Sequence, residues 1–137
     1  MGFLLDTNIL SELRKERRCA PAVKRWYEAA PAEELFTSVL VLGELRFGIE
    51  NIRQRDATTA RVLEKWLREI EAVYAERILP VTAHICDIWG RISISSRMPD
   101  VDALLAATAL HHRLTFVTRN TRDIKRSGAD CLDPFVD

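Results

Sequence analysis

The sequence has few cysteines and no pattern that would pair them. Three occur in 137 residues, at Cys19, Cys86 and Cys131, an odd number set far apart and without a Cys-x-x-Cys motif. This usage excludes a disulfide framework and is typical of reduced thiols in a cytosolic protein, which is where we expect the chain to act. A zinc set with the three histidines is also disfavoured, because only His84 and Cys86 are close in sequence.

Long hydrophobic runs and an excess of charge of one sign are absent as well. No apolar stretch approaches the roughly 20 residues of a membrane helix, and Asp6 interrupts the first apolar run, so we expect neither a membrane span nor a signal peptide. Lys plus Arg and Asp plus Glu both number 20, giving a formal net charge of zero. This balance argues against a histone-like or basic-tail binder, but it does not exclude nucleic acid, because a basic rim around an acidic, metal-filled cleft would also sum to zero.

Short strand-like runs alternate with helical patterns from one end of the chain to the other, without a linker or repeat. Strands are predicted at residues 2–5, 35–37, 78–81, 114–118 and 129–132. Helices are predicted at 9–14, 21–30, 38–47 (with Gly48 weakening the end), 58–73 and 102–112, and from Thr82 onward. This alternation predicts one α/β domain, 1–137, with a mostly parallel sheet of about five short strands and helices on both faces.

Local signals support several of these boundaries. Ser38 and Thr82 are candidate N-caps, and Pro21 suits a first helical turn. The helix over 58–73 has the clearest periodicity, and its expected buried face is Val62, Leu63, Trp66, Leu67, Ile70 and Val73.

Four carboxylates lie at the edges of apolar segments: Asp6, Glu44, Asp102 and Asp123. Sites in parallel sheets form beyond the carboxyl ends of strands, so the pattern predicts an acidic pocket at one edge of the sheet. Two carboxylates about 4 Å apart repel by roughly 4 kcal/mol at an effective dielectric near 20. Such a cluster needs cations, and oxygen-only ligands select Mg²⁺ or Mn²⁺. Taken singly, Asp6 is better explained as a turn residue or N-cap and Asp102 as a helix cap, Glu44 could be a solvated helix residue, and Asp123 is a loop residue. Only the four acids together favour the site.

The acids lie in four segments whose order is specific. The segments are Leu4-Leu5-Asp6-Thr7-Asn8, Gly43-Glu44-Leu45-Arg46, Asp102-Ala103-Leu104-Leu105-Ala106-Ala107-Thr108-Ala109 and Thr118-Arg119-Asn120-Thr121-Arg122-Asp123. Together they resemble the PIN-domain family, and within it the VapC-type ribonuclease toxins of toxin–antitoxin pairs. The resemblance covers nearly the whole chain. It implies a PIN-like three-layer sandwich and a metal-dependent endoribonuclease that uses Mg²⁺ or Mn²⁺.

The resemblance also implies roles for particular residues. The expected catalytic groups and metal ligands, direct or through water, are Asp6, Glu44, Asp102 and Asp123. The last of these would serve mainly a second ion or a bound water. The residues expected to orient the carboxylates and water by hydrogen bonds are Asn8, Thr118 and Asn120. The basic residues that flank the fourth acid are the candidates for RNA contact: Arg119, Arg122, Lys125 and Arg126.

Partners follow from the same resemblance. We expect a homodimer that a small antitoxin protein holds inactive, with operator DNA bound only through the antitoxin. An antitoxin arginine would pair with Glu44 or Asp6 and displace the metal. Apolar helix faces that include Trp66 and Trp89 belong either to the dimer surface or to the core.

The chain departs from the family pattern in two places. Ile124 stands where the family often has Phe, and Arg113 stands where a glycine commonly ends the third-motif helix, so we expect that turn to form without a left-handed residue. Asp100 competes with Asp102 for the ligand position, and the motif favours Asp102.

Three rival functions remain. They are a catalytically silent PIN-like binding module, a DNA-directed nuclease and a receiver-like signalling domain. The last would need adjacent carboxylates after the first strand, whereas Leu5 precedes Asp6.

Overall fold

A five-stranded, all-parallel sheet forms the centre of the protein. The computed structural model describes residues 2–95 and 97–136. The strands are β1 (Phe3–Leu5), β2 (Leu35–Ser38), β3 (Ile78–Leu79), β4 (Thr115–Val117) and β5 (Cys131–Leu132). Their order is β3-β2-β1-β4-β5. Leu4 of the central strand lies opposite Phe36 of β2 and Phe116 of β4. The predicted parallel α/β sheet is therefore confirmed.

Helices cover the sheet. They are α1 (Thr7–Leu13), α2 (Pro21–Ala29), α3 (Val39–Arg53), α4 (Ala57–Val73), α5 (Ala83–Ile92), α6 (Asp100–His112) and α7 (Thr121–Lys125). Leu4 and Leu5 are both 0% exposed, and so are Phe116 and Val117. Successive strand residues point to opposite faces, so both faces of the central strands are buried, as a three-layer sandwich requires. None of the helices in the described ranges combines the length and apolarity needed to cross a bilayer.

Side-chain caps fix where several helices begin. The Ser38 hydroxyl accepts from the Leu40 N–H at 3.0 Å, and the Thr82 hydroxyl accepts from the Ile85 N–H at 3.3 Å. Both predicted N-caps are confirmed, because each satisfies a backbone donor that the first helical turn leaves free. Helix α4 begins slightly earlier than predicted, since its cap is Asp56.

Two predictions about helices were wrong. Helix α3 does not weaken at Gly48 but continues to Arg53. Ile49 is only 3% exposed and Ile52 packs against the core, and this burial outweighs the roughly 1 kcal/mol that a helical glycine costs. The buried face of α4 is narrower than predicted, because Val62 and Val73 are 63% and 57% exposed.

The end of α6 corrects a third prediction. Arg113 does adopt the left-handed conformation, with φ 56° and ψ 43°. The Leu114 N–H then donates to the Ala109 carbonyl at 2.9 Å, which closes the helix end and turns the chain into β4. A non-glycine residue in this conformation costs about 1 kcal/mol. This cost accompanies an abrupt connection between a largely buried helix and a buried strand.

The connectivity places a cleft beside the central strand. From β1 the chain adds β2 and β3 on one side, and later adds β4 and β5 on the other. The order therefore reverses between β1 and β4, where a crevice opens beyond the carboxyl ends of the strands. Asp6 directly follows β1 and donates its N–H to the Val117 carbonyl of β4 at 3.0 Å. Thr118 directly follows β4.

Candidate active site

Asp6 lies at this crevice and is held by three hydrogen bonds. Its Oδ1 accepts from the Thr7 N–H at 2.7 Å, and its Oδ2 accepts from the Thr118 hydroxyl at 2.7 Å and the Asn8 amide at 3.2 Å. The side chain is 7% exposed. Burial raises the pKa of Asp6, while the three hydrogen bonds act in the opposite direction. Asp6 is thus the N-cap of α1 and a fixed carboxylate of the site at once.

A small polar network surrounds Asp6. The Asn8 amide also donates to the Thr118 hydroxyl at 3.3 Å, and its Oδ1 accepts from the Arg119 N–H at 3.2 Å. Asn120 joins through its backbone, because its N–H donates to the Thr118 hydroxyl at 3.1 Å. Two of the residues proposed to orient the acids, Asn8 and Thr118, therefore contact Asp6 directly, and Asn120 acts one bond further away.

Glu44 reaches the same crevice from α3. It lies in the second turn of that helix, half-buried between the buried Val41 and Leu45. The Thr7 hydroxyl donates to Glu44 Oε1 at 2.6 Å. Thr7 was missed by the sequence reasoning, although its position between Asp6 and Asn8 was a signal. Its backbone N–H binds one acid and its hydroxyl binds another, so it couples two carboxylates that are distant in sequence.

Asp102 shows that the acids share one electrostatic environment. Its pKa is raised to about 6, first by burial and then by the negative charges of Asp6, Glu44 and Asp123. Helix α6 begins at Asp100, two residues earlier than predicted, so Asp102 lies within its first turn. Asp100 is exposed and is not among the charges that perturb Asp102.

Asp123 approaches from the other side of the crevice. It belongs to the short helix α7 and not to a loop, which corrects the sequence interpretation. The buried Ile124 next to it, 1% exposed, anchors this helix to the core. The fourth acid is therefore positioned by a helix that packs against the core. This helix was not predicted, because its five residues of mixed polarity show no helical periodicity.

The chemistry of this donor set fits a hard divalent cation. The four acidic side chains offer only oxygen, which suits Mg²⁺ or Mn²⁺ and disfavours zinc. Within residues 2–95 and 97–136, however, no three acidic, histidine or cysteine side chains stand close enough to form a ready coordination shell. The acids thus interact electrostatically but do not form a common ligand shell. Glu44 accepts a hydrogen bond from Thr7.

Basic and apolar surfaces flank the acids. The four basic residues next to Asp123 are all exposed: Arg119, Arg122, Lys125 and Arg126. On the other side, Glu44 and Thr7 adjoin an apolar groove lined by Val39, Leu40, Phe47 and Val101. Phe47 is 76% exposed and Val39 is 42% exposed. The crevice therefore has a cationic edge and an apolar edge.

The chain belongs to the PIN-domain family, whose model matches residues 3–129. It is 30% identical over 139 residues to the VapC ribonuclease Y4jK of Sinorhizobium fredii, covering 97% of each chain. The expected resemblance is confirmed, and membership in this family excludes a receiver-like domain.

Solved structures agree with this assignment. FitAcB from Neisseria gonorrhoeae superimposes with a TM-score of 0.89 at 27% identity, over 98% of this chain and 99% of that one. A structure of FitAB bound to a DNA fragment gives 0.87 at 25% identity, over 97% and 95% of the two chains. A toxin–antitoxin complex from Klebsiella pneumoniae gives 0.71 at 26% identity, over 97% and 98%.

Proposed function

We propose that this chain is a divalent-metal-dependent endoribonuclease and the toxin of a toxin–antitoxin pair, acting as a single PIN domain over residues 1–137. The observation that carries the proposal is the environment of Asp102, whose pKa is raised to about 6 by burial and by three other acids. Asp6, Glu44 and Asp123 come from three other segments and lie close enough to Asp102 for their charges to raise its pKa, although the described residues form no ready coordination shell. The named ribonuclease relative and the PIN-family match support the choice of RNA chemistry.

The four acids are the groups that would hold the cation: Asp6, Glu44, Asp102 and Asp123. When bound, the cation would supply activation of a water and stabilisation of charge on the phosphate. The protein contributes orientation. Asp6 is fixed by Thr7, Asn8 and Thr118, and the Thr7 hydroxyl directs Glu44 toward the same crevice.

The cationic edge is proposed to bind the RNA backbone. Arg119, Arg122, Lys125 and Arg126 are exposed next to the fourth acid, so they can neutralise phosphates on either side of the cleaved bond. In this arrangement the acidic side chains lie inside the crevice and the basic side chains lie around it, so both signs of charge occur on one surface. A net charge of zero for the whole chain is compatible with this arrangement.

The same proposal assigns protein partners. An antitoxin that inserts a basic side chain next to Glu44 or Asp6 would compete with the cation, and DNA binding would belong to the antitoxin. The chain would form a homodimer. Trp66 and Trp89 pack against the core, so the exposed apolar surface at Phe47 is the better candidate for the dimer face.

Incubation of the purified chain with total RNA tests the activity. We expect new RNA ends with Mg²⁺ or Mn²⁺ and none with excess EDTA. Asp6→Asn should abolish cleavage, whereas Asp100→Asn, which changes an exposed acid near the site, should retain most of it. Cleavage that continues undiminished in chelator would refute metal dependence, and full activity of Asp6→Asn would refute the site.

Expression of the chain with and without its small neighbouring open reading frame tests the toxin role. Growth should stop when the chain is produced alone and recover when both are produced, and a small protein should co-purify. Equal growth in both cases would contradict the toxin role and leave the nuclease proposal intact.

A further inference from the structure

An arginine at the rim of the acidic crevice is stacked on an aromatic ring. The guanidinium carbon of Arg119 lies 4.1 Å from the centre of the Phe135 ring. Two other such pairs are looser, at 5.5 Å for Arg77 over Tyr74 and 5.8 Å for Arg14 over Trp66. The short distance indicates a well-formed cation–π contact, which restricts a side chain that otherwise has many rotamers.

The backbone of Arg119 is tied to the acids. Its N–H donates to Asn8 Oδ1 at 3.2 Å, and the preceding residue, Thr118, donates its hydroxyl to Asp6 at 2.7 Å. Arg119 is thus two hydrogen bonds from the most buried carboxylate of the site. These hydrogen bonds fix the backbone of Arg119 relative to Asp6. They do not fix its guanidinium, which needs a separate contact to hold it in place.

The ring is brought to this place by the turn after β5. The Leu132 carbonyl of that strand accepts from the Thr118 N–H at 3.0 Å, which sets the end of β5 beside the site. Asp133 Oδ1 then accepts from the Phe135 N–H at 2.9 Å, and Pro134 is buried between them. This turn presents Phe135, itself partly buried against the core, to the Arg119 guanidinium.

The positive charge of Arg119 acts on Glu12, whose pKa it helps to lower, but it is not held in an ion pair with a described residue. Among residues 2–95 and 97–136, no carboxylate lies within ion-pair distance of its guanidinium, whereas Arg46 and Arg53 each pair with Glu50 and Glu64. The ring contact holds the cation without consuming its hydrogen-bond donors. A guanidinium in this state is prepared for a phosphate, which it can bind through two parallel hydrogen bonds.

We propose that Phe135 is a positioning residue that holds the Arg119 guanidinium as a phosphate clamp at the rim of the crevice. The inference rests on the proposed ribonuclease function and adds to it the residue that fixes one RNA contact. The ring acts through Arg119 and does not itself touch the substrate. Loss of the ring should therefore weaken RNA binding and leave the chemical step unchanged.

The test uses a fluorescent RNA oligonucleotide that carries the strongest cleavage site mapped in the total-RNA digest. We expect Phe135→Leu to raise KM about two- to fivefold with kcat unchanged, as loss of a cation–π contact to an exposed arginine predicts. Phe135→Tyr keeps the ring and should restore the wild-type KM. Arg119→Ala should raise KM at least as much, and adding Phe135→Leu to it should have no further effect. The matched control is Arg14→Ala, which removes a looser cation–π pair elsewhere and should leave KM unchanged.

If Phe135→Leu does not fold, a second variant that keeps the shape of the ring tests the same contact. Replacing the Phe135 ring by its pentafluorinated analogue reverses the charge of the ring face, so KM should rise as in Phe135→Leu while the melting temperature is kept. An unchanged KM in this protein would overturn the proposal. So would an equal effect of Phe135→Leu with and without Arg119, because the ring would then contact RNA itself. If the wild-type chain cleaves no RNA at all, it is the proposed function that fails.

Discussion

Replacing Asp102 by asparagine removes one negative charge from the crowded crevice and nearly preserves the shape of the side chain. The pKa of Asp102 is about 6 in the folded protein against an ordinary 3.8. This gap corresponds to about 3 kcal/mol of unfavourable free energy when the group is ionised. Because the side chain is partly exposed, solvent screening reduces the figure to roughly 1.5 kcal/mol.

The sign of the effect follows from the raised pKa. Below about pH 4 the carboxyl is protonated in both the folded and unfolded states, so it carries no penalty; the penalty grows between about pH 4 and pH 6 and is complete above that. Asp102→Asn also loses a favourable charge in the first turn of α6, which costs about 0.5 kcal/mol. We therefore expect a net gain of roughly 1 kcal/mol at about pH 7.5 in chelator, or about 3–4 °C in melting temperature.

Asp100→Asn is the matched control, because it loses the same helix-terminal charge but lies outside the crowded site. Its melting temperature should fall by about 1–2 °C under the same conditions. The difference between the two variants should shrink as the pH is lowered toward about 5, and Mg²⁺ should stabilise the wild type more than Asp102→Asn. If Asp102→Asn melts no higher than Asp100→Asn at about pH 7.5 in chelator, the acids do not converge as described.

Three further predictions concern single contacts. Thr7→Val should lower the rate of RNA cleavage about tenfold by releasing Glu44, whereas Thr7→Ser should keep it; equal rates would show that the 2.6 Å bond has no catalytic consequence. Phe47→Glu should convert a dimer to a monomer in sedimentation equilibrium, while Val62→Glu, at a similarly exposed position, should not; an unchanged mass for Phe47→Glu would place the dimer face elsewhere. Arg113→Gly should raise the free energy of unfolding in urea by about 0.5–1 kcal/mol, because glycine adopts φ 56° without strain, and a loss of stability would contradict this.

The identity of the acids and the general architecture were readable from the sequence because they depend on short-range patterns. Alternating strand and helix signals predicted the parallel sheet, and the caps at Ser38 and Thr82 were visible as single residues before apolar helical runs. The carboxylates at strand ends predicted an acidic edge, since parallel strands all end on one side. Each of these features is determined by interactions among residues that are close together in the sequence.

The tertiary structure decided the rest, because the remaining features depend on which distant segments meet. Glu44 is 37 residues from its partner Thr7, and Arg119 contacts Phe135 only because β5 pairs with β4. Arg113 takes a left-handed conformation that its own preference opposes, at the turn that joins α6 to β4. The pKa of Asp102 is likewise a property of three other segments and of burial. The sequence by itself determined which charges the protein carries. Only the parallel pairing of β1 with β2 and β4 decided that those charges lie near one another in a single crevice. The reason is that repulsion and hydrogen bonding depend on distance in space and not on separation along the chain.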